Sequence, residues 1–416
     1  MMVCLLALSV MLASALAFQP ASYTVRTSSS LKAAPSDELS RRDAMERFAA
    51  ASITTASGLV LPKSAASAEE SKVAIPKVKL GRSSLEVSRT IQGYWQLAGG
   101  HGKYKESDAV ANMEAHYAAG ITTLDTADIY GPSELIVGKF VKNNPAAVSC
   151  TKFCCFRFLD EIDRAEVRSR IQKSCERLQV AKLPLVQFFW SNYNEKKYVD
   201  VALWLTELRE EGLIQEIGAT NFDLKRLQEL KKAGVPLVSH QVQLSALDRR
   251  PIQSGMADWC LENEISLIGF GTVGSGILSS RYLGEGAPTK LEKNTASMRM
   301  YSSTADRFGD WKLVQELLQT MDAIAKQIRS DGRCSECSIA NIAQRYVLET
   351  PAVAAVLIGV RNQDHIAENV RTHAFTLTQG ERDTIDAVVA KRKGPQGDVW
   401  DIERGNLSDM QVKAKE

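Results

Sequence analysis

Several features that would settle a function quickly are missing from this 416-residue sequence. It has no excess of charge of either sign, with 51 Lys and Arg against 49 Asp and Glu. Residues 1–68 hold six of those bases and four of the acids, so residues 69–416 carry 45 of each and are neutral. A neutral body gives no bulk electrostatic reason to expect nucleic acid or a membrane surface as partner. Long hydrophobic runs are also lacking. The most apolar stretch, Val3–Ala17, is only 15 residues long and interrupted by two serines, where about 20 apolar residues are needed to span a bilayer. Cysteine is sparse. Outside Cys4 there are Cys150, Cys154, Cys155, Cys175, Cys260, Cys334 and Cys337, an odd and scattered set that makes no disulfide framework. Cys334-Ser-Glu-Cys337 is a lone CxxC with no second pair and no histidine cluster beside it, so no metal site is expected. It reads either as a redox-sensitive dithiol or as two small loop residues. Cys154 and Cys155 read as strand residues facing a packed interior.

The first 68 residues read as an address. Met1–Ala17 ends in Ala15-Leu16-Ala17 before Phe18, the pattern of a cleaved signal peptide. Ser22–Pro35 is rich in Ser, Thr and Ala and has no acid, which is transit-peptide composition. Arg41-Arg42 followed by the mild apolar stretch Phe48–Leu61 and Ala66-Ser67-Ala68 resembles a twin-arginine export signal. Three such signals in series resemble the address of a plastid protein of an alga with a secondary plastid, with the thylakoid lumen as endpoint. The plainer alternative is one signal followed by a linker. Residues 1–68 are therefore expected to be a disordered targeting segment, and residues 69–416 the folded body, without a membrane span in the mature form.

That body alternates short apolar runs with longer amphipathic ones. Strands are expected to start near residues 89, 122, 147, 185, 214, 237, 266 and 354, with helices between them. Strict alternation of about eight units argues for parallel strands joined by right-handed crossovers, in a single-domain α/β (β/α)8 TIM barrel. A doubly wound sheet is the alternative, weakened because no GxGxxG follows the first strand. Tyr282–Asp310 shows little periodicity and reads as a long loop over the barrel mouth.

Chemistry concentrates at strand ends. Asp125 ends a strand, Tyr130 follows five residues on, and Lys152 ends the next strand. A carboxylate, a phenol and an ammonium at one barrel mouth form an acid–base unit in which the ammonium lowers the phenol's pKa and the carboxylate holds the ammonium. These segments, with Gly93-Tyr-Trp95, Gly218-Ala-Thr-Asn221, His240-Gln241 and Leu357-Ile-Gly359-Val-Arg361, resemble the aldo/keto reductase family from about Leu80 to about Arg392.

The resemblance implies a barrel that reduces a small-molecule carbonyl with NADPH. It makes Asp125, Tyr130 and Lys152 catalytic, with Tyr130 the proton donor. Thr220, Asn221 and Gln241 would hold the nicotinamide carboxamide, and Phe270 would stack on its ring. Gly271, Thr272 and Gly274 would lie beside the pyrophosphate, and Gly359, Arg361, His365, Glu368 and Asn369 at the adenosine end, with Arg361 suited to a 2′-phosphate. The sequence departs from the family where a fourth catalytic residue, a histidine, is expected. Phe189 stands there, and a phenyl ring neither donates a hydrogen bond nor relays a proton. Trp95, Phe189 and Trp190 are expected to line an apolar pocket. His101 is expected in an exposed loop, with a role as substitute imidazole the alternative, and His240 on the face opposite Gln241. Two functions follow: a reductase slowed at Phe189, or a catalytically weak barrel that binds NADPH as a sensor or docks a partner.

Overall fold

Period-two patterning in the strands and period-3.6 patterning in the helices build this chain. A computed structural model describes residues 73–404; the presequence readings for 1–68 lie outside the described residues. A short hairpin, β1 (Lys77–Lys79) and β2 (Glu86–Ser88), precedes the barrel. The barrel strands are β3 (Thr90–Gly93), β4 (Thr123–Asp125), β5 (Val148–Cys155), β6 (Leu183–Trp190), β7 (Ile214–Thr220), β8 (Leu237–Gln243), β9 (Ser266–Phe270) and β10 (Val353–Gly359). They close in the order β10-β3-β4-β5-β6-β7-β8-β9, each parallel to its neighbours. This is the (β/α)8 barrel expected from the alternation, and its eight strands lie where the apolar runs placed them.

Twelve α-helices are described. In chain order α1 (Glu106–Ala118), α2 (Ser133–Asn143), α3 (Arg164–Leu178), α4 (Tyr198–Glu210) and α5 (Leu224–Lys232) link the early strands. The short pair α6 (Arg250–Gln253) and α7 (Met256–Glu262) leads into β9. After β9 come α8 (Ala296–Phe308), α9 (Trp311–Ser330) and α10 (Ile339–Leu348), and after β10, α11 (Ile366–Arg371) and α12 (Gln379–Val389). Side-chain caps start many of them, such as Asp163 accepting from Glu166 N–H and the Ser338/Asn341 capping box.

One expectation is corrected. Tyr282–Asp310 is not a loop throughout: α8 occupies its second half, capped by Thr295 and burying Met298, Tyr301, Ala305 and Phe308. Their three- and four-residue spacing makes a helix stripe, hidden in the sequence behind Gly284, Gly286, Pro288 and Asn294. The segment does lie at the mouth, since Ala296 N–H donates to Gly100 O (2.9 Å), in the loop after β3.

Two apolar layers follow from strand alternation. Ile91, Cys150, Leu185 and Ile268 fill the barrel, whereas Phe153, Val186, Phe188 and Trp190 pack outward among the helices. The seven described cysteines are buried free thiols, and burial pushes Cys337 up to about 12. No helix among the described residues is long and apolar enough to cross a membrane.

Candidate active site

Inward-facing residues of β5 and β6 recur every second position, and this sets the site. On β6 they are Leu185, Gln187 and Phe189; on β5, Cys150, Lys152 and Cys154. Lys152 is in register with Gln187, and Asp125 on β4 with Cys150. One polar layer thus sits between the apolar barrel floor and an apolar rim.

Asp125 is its centre. Lys152 Nζ donates to Asp125 Oδ1 and to Thr126 O (2.8 Å). Gln187 Nε2 donates to Asp125 Oδ2 (2.6 Å), and Gln241 Nε2 donates both to that oxygen (3.0 Å) and to Gln187 Oε1 (2.9 Å). The ion pair is buried, with side-chain exposures of 6% and 4%. Such a pair adds little net stability but is costly to break by removing one partner, by about 3–5 kcal/mol. Tyr130 enters from the loop after β4, and the Lys152 ammonium stands 5.2 Å from its ring centroid. Asp125, Tyr130 and Lys152 are therefore gathered at one end of the barrel.

The electrostatics correct one expectation. Burial disfavours the Lys152 ammonium, yet Asp125 and, with a smaller share, Tyr130 together outweigh burial and hold Lys152 above its ordinary range. For Tyr130 the dominant effect is burial, which raises its pKa. Lys152 pulls it down and Asp125 pushes it up, leaving the phenol at about 12. The ammonium acts in the expected direction but is outweighed, so Tyr130 is an intact phenol across the neutral range.

Above this layer the rim is aromatic. Phe189 is buried with Ala127 and Cys154 against Tyr130. Its ring lies 4.9 Å from that of Phe156 and 5.1 Å, nearly perpendicular, from that of Trp400. Trp190 is not at the mouth. One residue on from Phe189 it points outward, wholly buried, donating to Asn192 O (2.9 Å) and Glu195 O (3.0 Å). Trp95, half-buried after β3, meets the His101 ring edge-on at 4.9 Å.

His101 is buried, contrary to the exposed loop position expected for it. Its Nε2 accepts from Ser297 N–H (3.3 Å), which leaves Nδ1 to donate to Gly99 O (3.0 Å). Both nitrogens are spent, so it offers no spare imidazole. His240 accepts from Phe222 N–H (3.1 Å), away from the Asp125 cluster to which Gln241 is turned.

The residues expected around a dinucleotide fall into two groups. Thr220, Asn221 and Gln241 adjoin Asp125: Thr220 Oγ1 and Asn221 N–H both donate to Gln241 O at 3.1 Å. Asn221 holds a left-handed backbone (φ 57°), and its Oδ1 is buried without a hydrogen-bond partner among the described residues. Phe270 ends β9 and Gly271, Thr272 and Gly274 follow it; Gly359 ends the neighbouring β10, and Arg361, His365, Glu368 and Asn369 follow it.

In this second group, Gly271 (φ 73°) admits no side chain, because a Cβ there would lie 2.4 Å from Tyr301 Cε1. Thr272 Oγ1 is a buried hydroxyl that also lacks a hydrogen-bond partner among the described residues. Nothing lies within 4 Å of where a Cβ on Gly359 would sit, and Arg361 is exposed. His365 pairs with Glu368 (2.9 Å), which also accepts from Ser338 Oγ (2.6 Å). Asn369 is turned into the fold, accepting from Gln344 Nε2 (3.0 Å). The orphaned Asn221 and Thr272 atoms and the open backbone at Gly359 fit a polar dinucleotide.

Sequence reading missed three contributors. Gln187 carried a usable signal, two residues before Phe189 on the same strand face. Trp400 and Arg404 carried none, lying beyond α12 in a stretch without apolar periodicity. Arg404 donates to Trp190 O, Asn221 O (2.6 Å) and Tyr193 OH (2.9 Å), and its guanidinium stands 4.0 Å from the Tyr193 ring centroid.

Comparison with known proteins agrees with this fold. Residues 90–390 match the model of the aldo/keto reductase family. A chloroplastic pyridoxal reductase of Arabidopsis thaliana is 30% identical over 51% of this chain, which spans 64% of that relative's length. An NADH-specific methylglyoxal reductase of Escherichia coli is 21% identical over 73% of this chain and 95% of its own. The holo form of an aldo-keto reductase from Bacillus halodurans superposes with a TM-score of 0.60 at 25% identity, covering 76% of this chain and 96% of that one.

Proposed function

The chain belongs to the aldo/keto reductase family, and from that premise we propose that it reduces an aldehyde or ketone to the alcohol with NADPH. The observation that carries the reading is the buried Asp125–Lys152 pair beside the Tyr130 phenol. A nicotinamide dinucleotide supplies the hydride in this chemistry. Thr220, Asn221 and Gln241 would hold its carboxamide, Phe270 its ring, Gly271, Thr272 and Gly274 its pyrophosphate, and Gly359, Arg361, His365, Glu368 and Asn369 its adenosine end.

The protein's own part is to place the carbonyl and deliver a proton. Tyr130 Oη donates that proton to the carbonyl oxygen as the C–H bond forms. Lys152, kept charged by Asp125, stabilises the phenolate left behind. Phe189 gives the carbonyl oxygen no second donor, so turnover is slower than with a histidine there. The aromatic rim of Phe156, Phe189 and Trp400 favours a planar aromatic aldehyde, the class to which the plant relative's pyridoxal belongs. Arg361 favours the 2′-phosphate of NADPH, although the bacterial relative is NADH-specific. The presequence and the chloroplastic relative together support a plastid location.

Fluorescence titration with NADPH and with NADH, beside stopped-flow reduction of aromatic and aliphatic aldehydes, tests this. Tighter binding of NADPH and measurable turnover of an aromatic aldehyde are expected. Binding without turnover of any carbonyl would overturn the reductase reading in favour of a sensor.

A further inference from the structure

Gln187 is wholly buried between two apolar neighbours on its strand face, Leu185 below and Phe189 above. A primary amide in such a place is costly unless both its ends are used. Gln187 uses both: its Nε2 donates to Asp125 Oδ2 (2.6 Å) and its Oε1 accepts from Gln241 Nε2 (2.9 Å). The reverse orientation would set its carbonyl oxygen against the Asp125 carboxylate and its amide protons against those of Gln241. Asp125 thus fixes which way round Gln187 sits.

The consequence passes to Gln241. Its amide nitrogen has two protons, and both are committed, one to Asp125 Oδ2 (3.0 Å) and one to Gln187 Oε1. What Gln241 has left to offer is an acceptor, its Oε1. The buried Asn221 Oδ1, on the neighbouring strand end, is an acceptor too. Two acceptors suit a carboxamide –NH2 and repel a carboxylate in the same place.

We propose that Gln187 is a positioning residue that orients the Gln241 amide, so that the site presents acceptors and selects a nicotinamide carboxamide over the nicotinic-acid form of the dinucleotide. The inference rests on Gln241 being the residue at the nicotinamide, as proposed above. It extends the catalytic layer: the Asp125 carboxylate that holds Lys152 also sets, directly and through one buried amide, the chemistry of the cofactor's seat.

Equilibrium binding separates the possibilities. NADPH and its nicotinic-acid analogue, the carboxylate in place of the carboxamide, are titrated by fluorescence against the whole chain and two variants. The parent should prefer NADPH. Gln187→Leu removes one of the two acceptors that hold the Gln241 amide and leaves Asp125 to hold it alone, so NADPH binding should weaken about tenfold and the preference over the acid analogue should shrink by at least as much. Gln187→Glu brings a second carboxyl beside Asp125, and like charges so close force it to hold a proton well above the usual carboxylate range. While protonated it makes the same two bonds as glutamine and should restore the parent's preference. Above its ionisation it should lose it, giving a pH dependence of binding that the parent lacks and that a merely structural role would not produce.

Parent-like preference in Gln187→Leu, or a pH-independent Gln187→Glu, overturns the proposal. If Gln187→Leu fails to fold, the Gln187→Glu titration decides alone. Failure of the parent to bind NADPH would instead sink the functional reading beneath it.

Discussion

At the scale of single residues, Tyr130 and Phe189 set opposite limits on the rate. Because burial holds Tyr130 at about 12, the donor form persists through neutral and mildly alkaline pH. Reduction should therefore be flat in pH up to about 10 as far as this group is concerned, and fall only as the phenol ionises beyond that. Tyr130→Phe should lower kcat by about 10²–10⁴ while leaving NADPH affinity unchanged, which single-turnover kinetics and titration measure separately. Phe189→His tests the missing fourth group. An imidazole at that position adjoins Tyr130, so kcat should rise about tenfold or more. The gain comes at some loss of stability, because a polar ring replaces one packed between Phe156 and Trp400. An unchanged kcat in a folded Phe189→His would mean that the carbonyl oxygen is already served by another donor. That Asp125, Tyr130 and Lys152 share one barrel mouth was legible from residue type and strand-end position, supported by the family resemblance. The direction of Tyr130's pKa was not, because it depends on how much water the rim excludes, which spacing does not show.

At the scale of elements, legibility followed periodicity. The eight barrel strands could be placed because each is a short apolar run flanked by turn chemistry. Helix α3 could be placed at Arg164–Leu178 because its buried Val167, Ile171, Cys175 and Leu178 recur at three- and four-residue steps. Trp190 was misplaced for a related reason: alternation dictates that Phe189 and Trp190 face opposite sides, so only one of them can line a pocket. Where periodicity ends, so did the reading. Residues 398–404 carry no repeating apolar pattern and end in a helical turn at 401–404, and their own side chains tie them to distant helices and strand ends. Asp398 Oδ2 accepts from Leu224 N–H (3.0 Å), Glu403 pairs with the buried Arg250 (2.8 Å), and Arg404 reaches the ends of β6 and β7. Trp400 is held over Phe189, the two rings 5.1 Å apart and nearly perpendicular. Trp400→Ala should raise KM for aromatic aldehydes about three- to tenfold, leaving small aliphatic aldehydes and NADPH affinity little changed. Equal loss for both aldehyde classes would assign Trp400 to folding rather than to substrate choice.

At the scale of the whole molecule, the neutral body leaves stability against pH to a few buried groups rather than to net charge. Histidines dominate the acid side. Burial lowers His240 to about 3, and burial with the nearby Arg345 and Arg89 lowers His373 to about 4, against an ordinary 6.5. Each is neutral in the fold for a visible reason: His240 Nε2 accepts from Phe222 N–H, and His373 shares a hydrogen bond with Thr90 Oγ1 (2.8 Å) between two guanidinium groups. A depressed folded-state pKa means that the unfolded chain takes up the proton first. The stability tied to these rings is therefore complete above about pH 6.5 and drains away as pH falls toward 4 and 3. At pH 5, one and a half units below the unfolded value, each histidine costs about 2 kcal/mol. Two such terms are a large part of the 5–15 kcal/mol typical of a folded domain. The apparent melting temperature should thus fall by several degrees between pH 7 and pH 5. His373→Gln, which keeps a hydrogen-bonding end for Thr90 but cannot take up the proton, should flatten about half of that fall while lowering stability at pH 7 only slightly. A parent whose melting temperature is the same at both values would show that these rings are reached by water and already titrate normally in the fold.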